Sequence, residues 1–256
     1  MSIIEAIISG LVQGLTEFLP VSSSGHLALI HNIFGFDVSD IFFDICLHLA
    51  TLVAVIVYFR KYIAGLIERR EVIWLVYLGI GTVPAVIAAL FFENKITAVF
   101  GDPVKVSGML IVTAFVLFAG QAALLVKRVS RPEATMGRSV IVGIAQAFAL
   151  VPGISRSGAT ISAGMVTGMG QEEAFRFSFL LSIPAISGAF LYKILTQDHM
   201  EFAFSAGINY IIGMICAFVM GLISLNILKR VIIAKKLYIF GIYCLAAGVA
   251  GILFLR

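Results

Sequence analysis

Two short stretches of this 256-residue chain hold most of the side chains that could do chemistry. In the first, Gln13 and Glu17 stand four apart, on one face of a helix. Pro20 ends that helix, because its ring bars the preceding residue from continuing it. Ser22, Ser23 and Ser24 then supply hydroxyls at the start of a second helix, and Gly25 lets a ligand approach the backbone. His26 follows Ser23 by three residues, so the two share a face of the new turn. A helix start offers free N–H groups and the positive end of a dipole, and so favours anions. A simple N-cap would explain one serine. It does not explain three hydroxyls flanked by Glu17 and His26 inside an apolar stretch, where ionisable groups are costly and mark function.

The second stretch supplies a fixed positive charge. Ser155, Arg156 and Ser157 open another helix, with Gly158 next and Thr160 one turn in. Arginine stays charged and presents a planar fork of donors suited to phosphate. Brought together, the two helix starts would suit a phosphate or pyrophosphate. Glu17 is a poor neighbour for such an anion unless it binds a divalent cation, Mg²⁺ or Ca²⁺, or moves a proton. The chemistry these groups could perform is nucleophilic phosphoryl transfer. Ser23 would attack the terminal phosphorus, with Ser22 next in line; His26 would accept or relay the proton, and Arg156 would clamp the non-bridging oxygens. Glu17 would hold the cation or orient His26, and direct attack by an activated water stays open.

The elements that must position these residues are those of a membrane protein. Apolar residues make up 61% of the chain, charged ones 12%, and the mean hydropathy is +1.08. Soluble domains average about 45–50% and about 25%, so a disordered chain, a disulfide scaffold and an ordinary soluble enzyme are excluded. The net charge of +4 sits in short loops between apolar runs and does not signal nucleic acid. Six stretches, 41–59, 72–92, 106–126, 173–194, 207–228 and 236–255, are each long enough to cross most or all of a hydrocarbon core of about 30 Å. Residues 3–33 and 139–169 are instead broken near the middle by Pro and a Ser/Gly cluster, and read as re-entrant hairpins. With that topology Arg60, Lys61, Arg69, Arg70, Lys127, Arg128, Arg131, Arg138, Lys229, Arg230, Lys235 and Lys236 fall on one side, and Lys95, Lys105, Lys193 and Arg256 on the other. The richer side is the cytoplasm, which puts both termini outside. The N-terminus has no basic region and no clean cleavage site, so no cleaved signal peptide is expected.

The two broken segments match at an offset of 133 residues: Gly10 with Gly143, Gln13 with Gln146, Ser22 with Ser155, Ser24 with Ser157 and Gly25 with Gly158. Phe42 with Phe175 and Gly108 with Gly241 extend the match. Each half, 1–133 and 134–256, then holds one hairpin and three spans. Three is odd, so the second half lies inverted. The expected fold is an all-α integral membrane protein of six transmembrane helices and two re-entrant hairpins in an inverted-topology repeat, with a site where the hairpin tips meet.

The run Gln13-Gly-Leu-Thr-Glu17-Phe-Leu-Pro20-Val-Ser-Ser-Ser-Gly-His26 resembles the first signature of the undecaprenyl pyrophosphate phosphatase, or bacitracin-resistance protein, family. Pro152-Gly-Ile-Ser-Arg-Ser-Gly-Ala-Thr160 resembles the second, and the likeness extends over essentially the whole chain. The resemblance implies a hydrolase of the bacterial cytoplasmic membrane that cuts undecaprenyl pyrophosphate to the monophosphate and inorganic phosphate, recycling the carrier for peptidoglycan. It also implies a divalent cation and a site open to the outer face, in a family whose members are often homodimers. By motif position, Glu17 is the essential acid and Gln13 occupies a Glu-or-Gln position, which weakens any mechanism needing two carboxylates on the metal. Ser22 and Ser23 lie at the reacting phosphate, and His26 and Arg156 are the signature histidine and arginine. Ser24 stands where threonine is also accepted.

A polyprenyl-phosphate transporter is the rival, since inverted repeats with broken helices also build transporters. The pairing of Ser23 with His26 favours the enzyme, because binding alone needs no nucleophile and base. A lipid phosphatase of the phosphatidic-acid type would need a second histidine with an acidic partner after the arginine block, and none is found. Asp44 and His48, four apart, read equally as supports of the site or as a mutual pair. Glu172, Glu173 and Arg176 read as a boundary ion pair. Phe18, Phe42, Phe43 and Phe148 are candidates to line an opening for the isoprenoid tail, against packing as the commoner role of such aromatics; Trp74 and the tyrosines read as interface or packing residues, and Cys46, Cys216 and Cys244 as small buried hydrophobes.

Overall fold

The structure, a computed structural model, describes residues 2–34, 41–126, 133–196 and 207–255. These form ten α-helices: α1 (Ile3–Phe18), α2 (Ser23–Phe34), α3 (Ile41–Glu68), α4 (Val72–Phe100), α5 (Pro103–Val126), α6 (Met136–Phe148), α7 (Arg156–Val166), α8 (Gln171–Thr196), α9 (Ile208–Ile233) and α10 (Tyr238–Phe254). Stretches in α3, α4, α5, α8 and α9 are long and apolar enough to cross a membrane. The molecule is therefore a multi-pass, all-helical membrane protein. Helix α10 is equally apolar but has 17 residues, a length of about 25 Å. Large apolar side chains on α4, such as Leu75, Ile87 and Phe91, are exposed, as a lipid-facing surface requires.

Both expected breaks are present. Helix α1 opens with a capping box, in which the Ser2 hydroxyl accepts from Glu5 N–H and the Glu5 carboxylate from Ser2 N–H. It ends at Phe18, and Leu19, the residue before Pro20, is extended at φ −62°, ψ 141°, as proline demands. Ser155 is the N-cap of α7, its hydroxyl accepting from Gly158 N–H. The four short helices have 16, 12, 13 and 11 residues. Helix α3 runs on through Arg60 and Lys61 to Glu68, and α4 through Glu93 and Lys95 to Phe100, beyond the apolar stretches at 59 and 92. Hydropathy marks where lipid ends, and charged side chains do not by themselves break a helix. Of the basic residues used for orientation, Lys127, Arg128, Arg131 and Arg256 lie outside the described residues.

Helix α1 packs along α9 and α6 along α4, both at glycine. A Cβ at Gly10 would stand 2.3 Å from the carbonyl oxygen of Gly213, and one at Gly143 would stand 2.4 Å from that of Gly81. Backbone lies on backbone at both places, so no side chain can move aside. Gly10→Leu should destabilise the fold by about 1–3 kcal/mol, read as a lower melting temperature in detergent. The tips of the two breaks also meet: Gly25 approaches the Gly153 Cα, and Gly158 the Pro20 Cβ, with virtual Cβ distances of 3.3 and 3.2 Å. Beneath them Phe18 packs edge-on to Phe179 at 5.4 Å within a core that includes Val55, Phe59, Phe175 and Leu225.

Candidate active site

Glu17 is the hub of the site. It sits in the last turn of α1 with its side chain only 6% exposed. One carboxylate oxygen, Oε1, accepts from the Arg156 guanidinium at the start of α7. The other, Oε2, accepts from the Ser23 hydroxyl at 2.7 Å and from the Gln13 amide nitrogen at 3.1 Å. The same amide donates to His48 Nδ1 at 2.9 Å, and that ring nitrogen lies 3.4 Å from Glu17 Oε2. A buried anion is costly unless its lone pairs are filled. Here a guanidinium, a hydroxyl and an amide fill them, drawn from α1, α2 and α7.

The turn between α1 and α2 is tightly folded. Ser22 lies at φ 70°, a left-handed conformation that is uncommon away from glycine and recurs where structure is held for function. Its hydroxyl accepts from Gly25 N–H at 3.3 Å and lies 3.4 Å from Ser24 Oγ. At the second tip Ser155 Oγ accepts from Gly158 N–H at 3.1 Å and lies 3.2 Å from Ser157 Oγ. Thr113 of α5 braces that tip, donating to Gly153 C=O at 2.8 Å and accepting from Ser155 N–H at 3.0 Å. Two helix starts, with their N–H groups and dipole ends, thus face one another around one carboxylate and one guanidinium. This constellation can seat an oxyanion and offer it a hydroxyl nucleophile beside a base.

A family described as "Bacitracin resistance protein BacA" matches residues 6–250 of the chain. The chain belongs to the BacA family. Among similar proteins, an undecaprenyl-diphosphatase of Syntrophotalea carbinolica is 39% identical, covering 97% of both chains. One of Treponema denticola is 40% identical over 97% of this chain and 96% of its own, and one of Pelotomaculum thermopropionicum 37% identical over 98% and 96%.

Within this BacA-family chain, Gln13, Glu17, Ser23 and Arg156, all singled out in the sequence, form one hydrogen-bonded cluster. The expected contact between Ser23 and His26 gives way to another: Ser23 donates to Glu17, whereas His26 Nδ1 donates to Ser22 C=O at 2.8 Å. The ring is turned back along its own helix, where the nearest strong acceptor is that carbonyl. Thr160 is buried and committed to structure, its hydroxyl bonded to Arg156 C=O at 2.8 Å and 2.6 Å from Ser178 Oγ. His48 joins the cluster through the Gln13 amide, a contact its spacing from Asp44 did not indicate. Tyr243, read as packing, brings its hydroxyl within 2.6 Å of His26 Nε2, and no local motif surrounds it. Arg176 and Glu173 pair at 3.3 Å as expected. Cys46 and Cys244 are buried, while Cys216 is half-buried on α9.

The cluster's donors can be compared with what a divalent cation needs. No group of three His, Cys, Asp or Glu side chains stands together among the described residues. The cluster offers the Glu17 carboxylate and the buried Gln13 Oε1, which has no hydrogen-bond partner. That set does not make a closed cage. It does fit a cation carried largely by substrate phosphates and water, as Mg²⁺ is commonly held through one or two protein oxygens.

Proposed function

We propose that this chain is an undecaprenyl-diphosphatase of the cytoplasmic membrane, releasing inorganic phosphate from undecaprenyl pyrophosphate. Its relatives carry that name over nearly their full lengths. The observation that carries the reading is the convergence of Ser23 and Arg156 on a single carboxylate. A binding site for an anion has no use for a hydroxyl held on a base. An arriving diphosphate draws Arg156 from Glu17 onto its non-bridging oxygens, and Glu17 then takes the Ser23 proton. Ser23 Oγ forms a bond to the terminal phosphorus as the bridging P–O bond breaks, and undecaprenyl phosphate leaves. Water attacks the phosphoserine, and Ser23 recovers a proton from Glu17. N–H groups at the α2 and α7 starts stabilise the added charge. Glu17 and Gln13 are the residues that would hold a divalent cation, which supplies charge neutralisation at the phosphate oxygens.

This reading includes six spans, with α10 as the sixth, and two hairpins, α1–α2 and α6–α7, in an inverted repeat. The paired contacts support it. Gly25 N–H to Ser22 Oγ recurs as Gly158 N–H to Ser155 Oγ, and Gly25 against residue 153 recurs as Gly158 against residue 20. All are displaced by 133 residues. The glycine contacts of α1 on α9 and α6 on α4 recur within one residue of that spacing. The asymmetry of basic loops orients the termini outward, and the family resemblance implies a site that opens to the same face.

The test is phosphate release by the purified chain in detergent, supplied with undecaprenyl pyrophosphate and Mg²⁺. Multiple turnovers are expected. A folded preparation that binds the lipid and releases no phosphate would end the enzymatic reading.

A further inference from the structure

His26 is gripped at both ring nitrogens. Ser22 C=O, 2.8 Å from Nδ1, can only accept, so the proton is on Nδ1. In the neutral ring Nε2 then carries the lone pair, and the Tyr243 hydroxyl, 2.6 Å away, donates to it. The two rings also stack, 14° from parallel with centroids 5.6 Å apart. Tyr243 comes from α10, 217 residues away in sequence. The neighbouring Cys244 thiol donates to Pro20 C=O at 3.5 Å, so two successive residues of α10 fasten the same α1–α2 turn. The alternative for a tyrosine 46% exposed on an apolar helix is an interfacial anchor. An anchor turns its hydroxyl toward water, and this one ends on an imidazole.

Building on the diphosphatase reading, we infer that Tyr243 is a positioning residue for phosphoryl transfer, acting through His26. Its hydroxyl and ring hold the imidazole in one tautomer and one orientation, one turn along α2 from Ser23. His26 is thus set before the diphosphate arrives, with Nδ1–H committed to Ser22 C=O and Nε2 to the Tyr243 hydroxyl, and the carbonyl it grips belongs to the turn that places Ser23. Helix α10 thereby contributes to a site whose other parts come from α1, α2, α3 and α7.

Tyr243→Phe keeps the stack and removes only the hydroxyl. With the full chain in detergent and undecaprenyl pyrophosphate as substrate, kcat should fall about ten-fold, the size of one lost hydrogen bond, with KM within about two-fold. The melting temperature should fall by at most a few degrees, the cost of one partly exposed hydrogen bond. In a His26→Gln background the same substitution should change nothing further, because the group it serves is gone. Full kcat in Tyr243→Phe would overturn the inference. So would a raised KM at unchanged kcat, which marks direct substrate contact, or an undiminished effect in His26→Gln. An inactive parent protein would instead defeat the diphosphatase reading on which the inference rests, and the assay reports that separately.

Discussion

Arg156→Ala should lose at least about 10³-fold in kcat, because charge gathering on the transferring phosphoryl group has no other guanidinium in the cluster to meet it. A second effect should accompany the first. In the free protein Arg156 covers Glu17 Oε1, with the two side chains 18% and 6% exposed. Removing the cation leaves a carboxylate short of a partner in a dry place, and breaking such a pair costs about 3–5 kcal/mol. Thermal melting in detergent should therefore fall along with phosphate release. Adding Glu17→Gln separates the two effects. The double variant should recover much of the melting temperature, because the orphaned charge is gone, and recover no activity. Arg156→Lys should keep the charge and most of the stability yet stay well below the parent in rate, since an ammonium cannot reproduce the planar two-pronged contact. If Arg156→Ala loses stability but keeps its rate within ten-fold, the phosphate clamp is wrong and the guanidinium is only structural.

The position of this pair shows what could be read from the sequence and what could not. The breaks at Pro20 and Pro152 were legible because proline and the Ser/Gly cluster act on the chain locally. Leu19 is extended because Pro20 follows it, and Ser155 caps α7 because its hydroxyl reaches an N–H three residues on. The contact of Glu17 with Arg156 spans 139 residues, but both residues lie within marked motifs, and an internal repeat is itself a statement about which segments face each other. Tyr243 had no such mark. Nothing about a tyrosine in an apolar helix distinguishes one that ends on a histidine from one that faces lipid, because the difference is made by how α10 is placed against the first tip. His48 was half-legible. Its spacing from Asp44 pointed along α3, while Gln13 and Glu17, which its Nδ1 meets, lie across on α1. The Ser23–His26 contact failed for a related reason. Helical spacing puts two residues on one face, but χ angles decide where their side chains turn, and Ser23 finds a nearer anion in Glu17.

The serine triplet makes the sharpest test of the covalent route. Ser23→Ala should abolish turnover by at least about 10³-fold, while Ser22→Ala should act chiefly on folding. The structure gives the two hydroxyls different work. Ser23 Oγ is the one held 2.7 Å from a carboxylate, whereas Ser22 Oγ is committed to Gly25 N–H as a helix cap. Losing a cap of that kind costs about 0.5–2 kcal/mol, a shift in melting temperature and not in chemistry. Ser23→Ala removes no cap, so its fold should survive, and Arg156 keeps its partner. Acid quenching of the parent enzyme after mixing with substrate labelled at the terminal phosphate should trap label on the peptide carrying Ser23. Ser22→Ala should retain that label. Turnover by Ser23→Ala within ten-fold of the parent, with no labelled peptide in either protein, would give the attack to water, leaving Glu17 as the base for that water and Arg156 with its clamp unchanged.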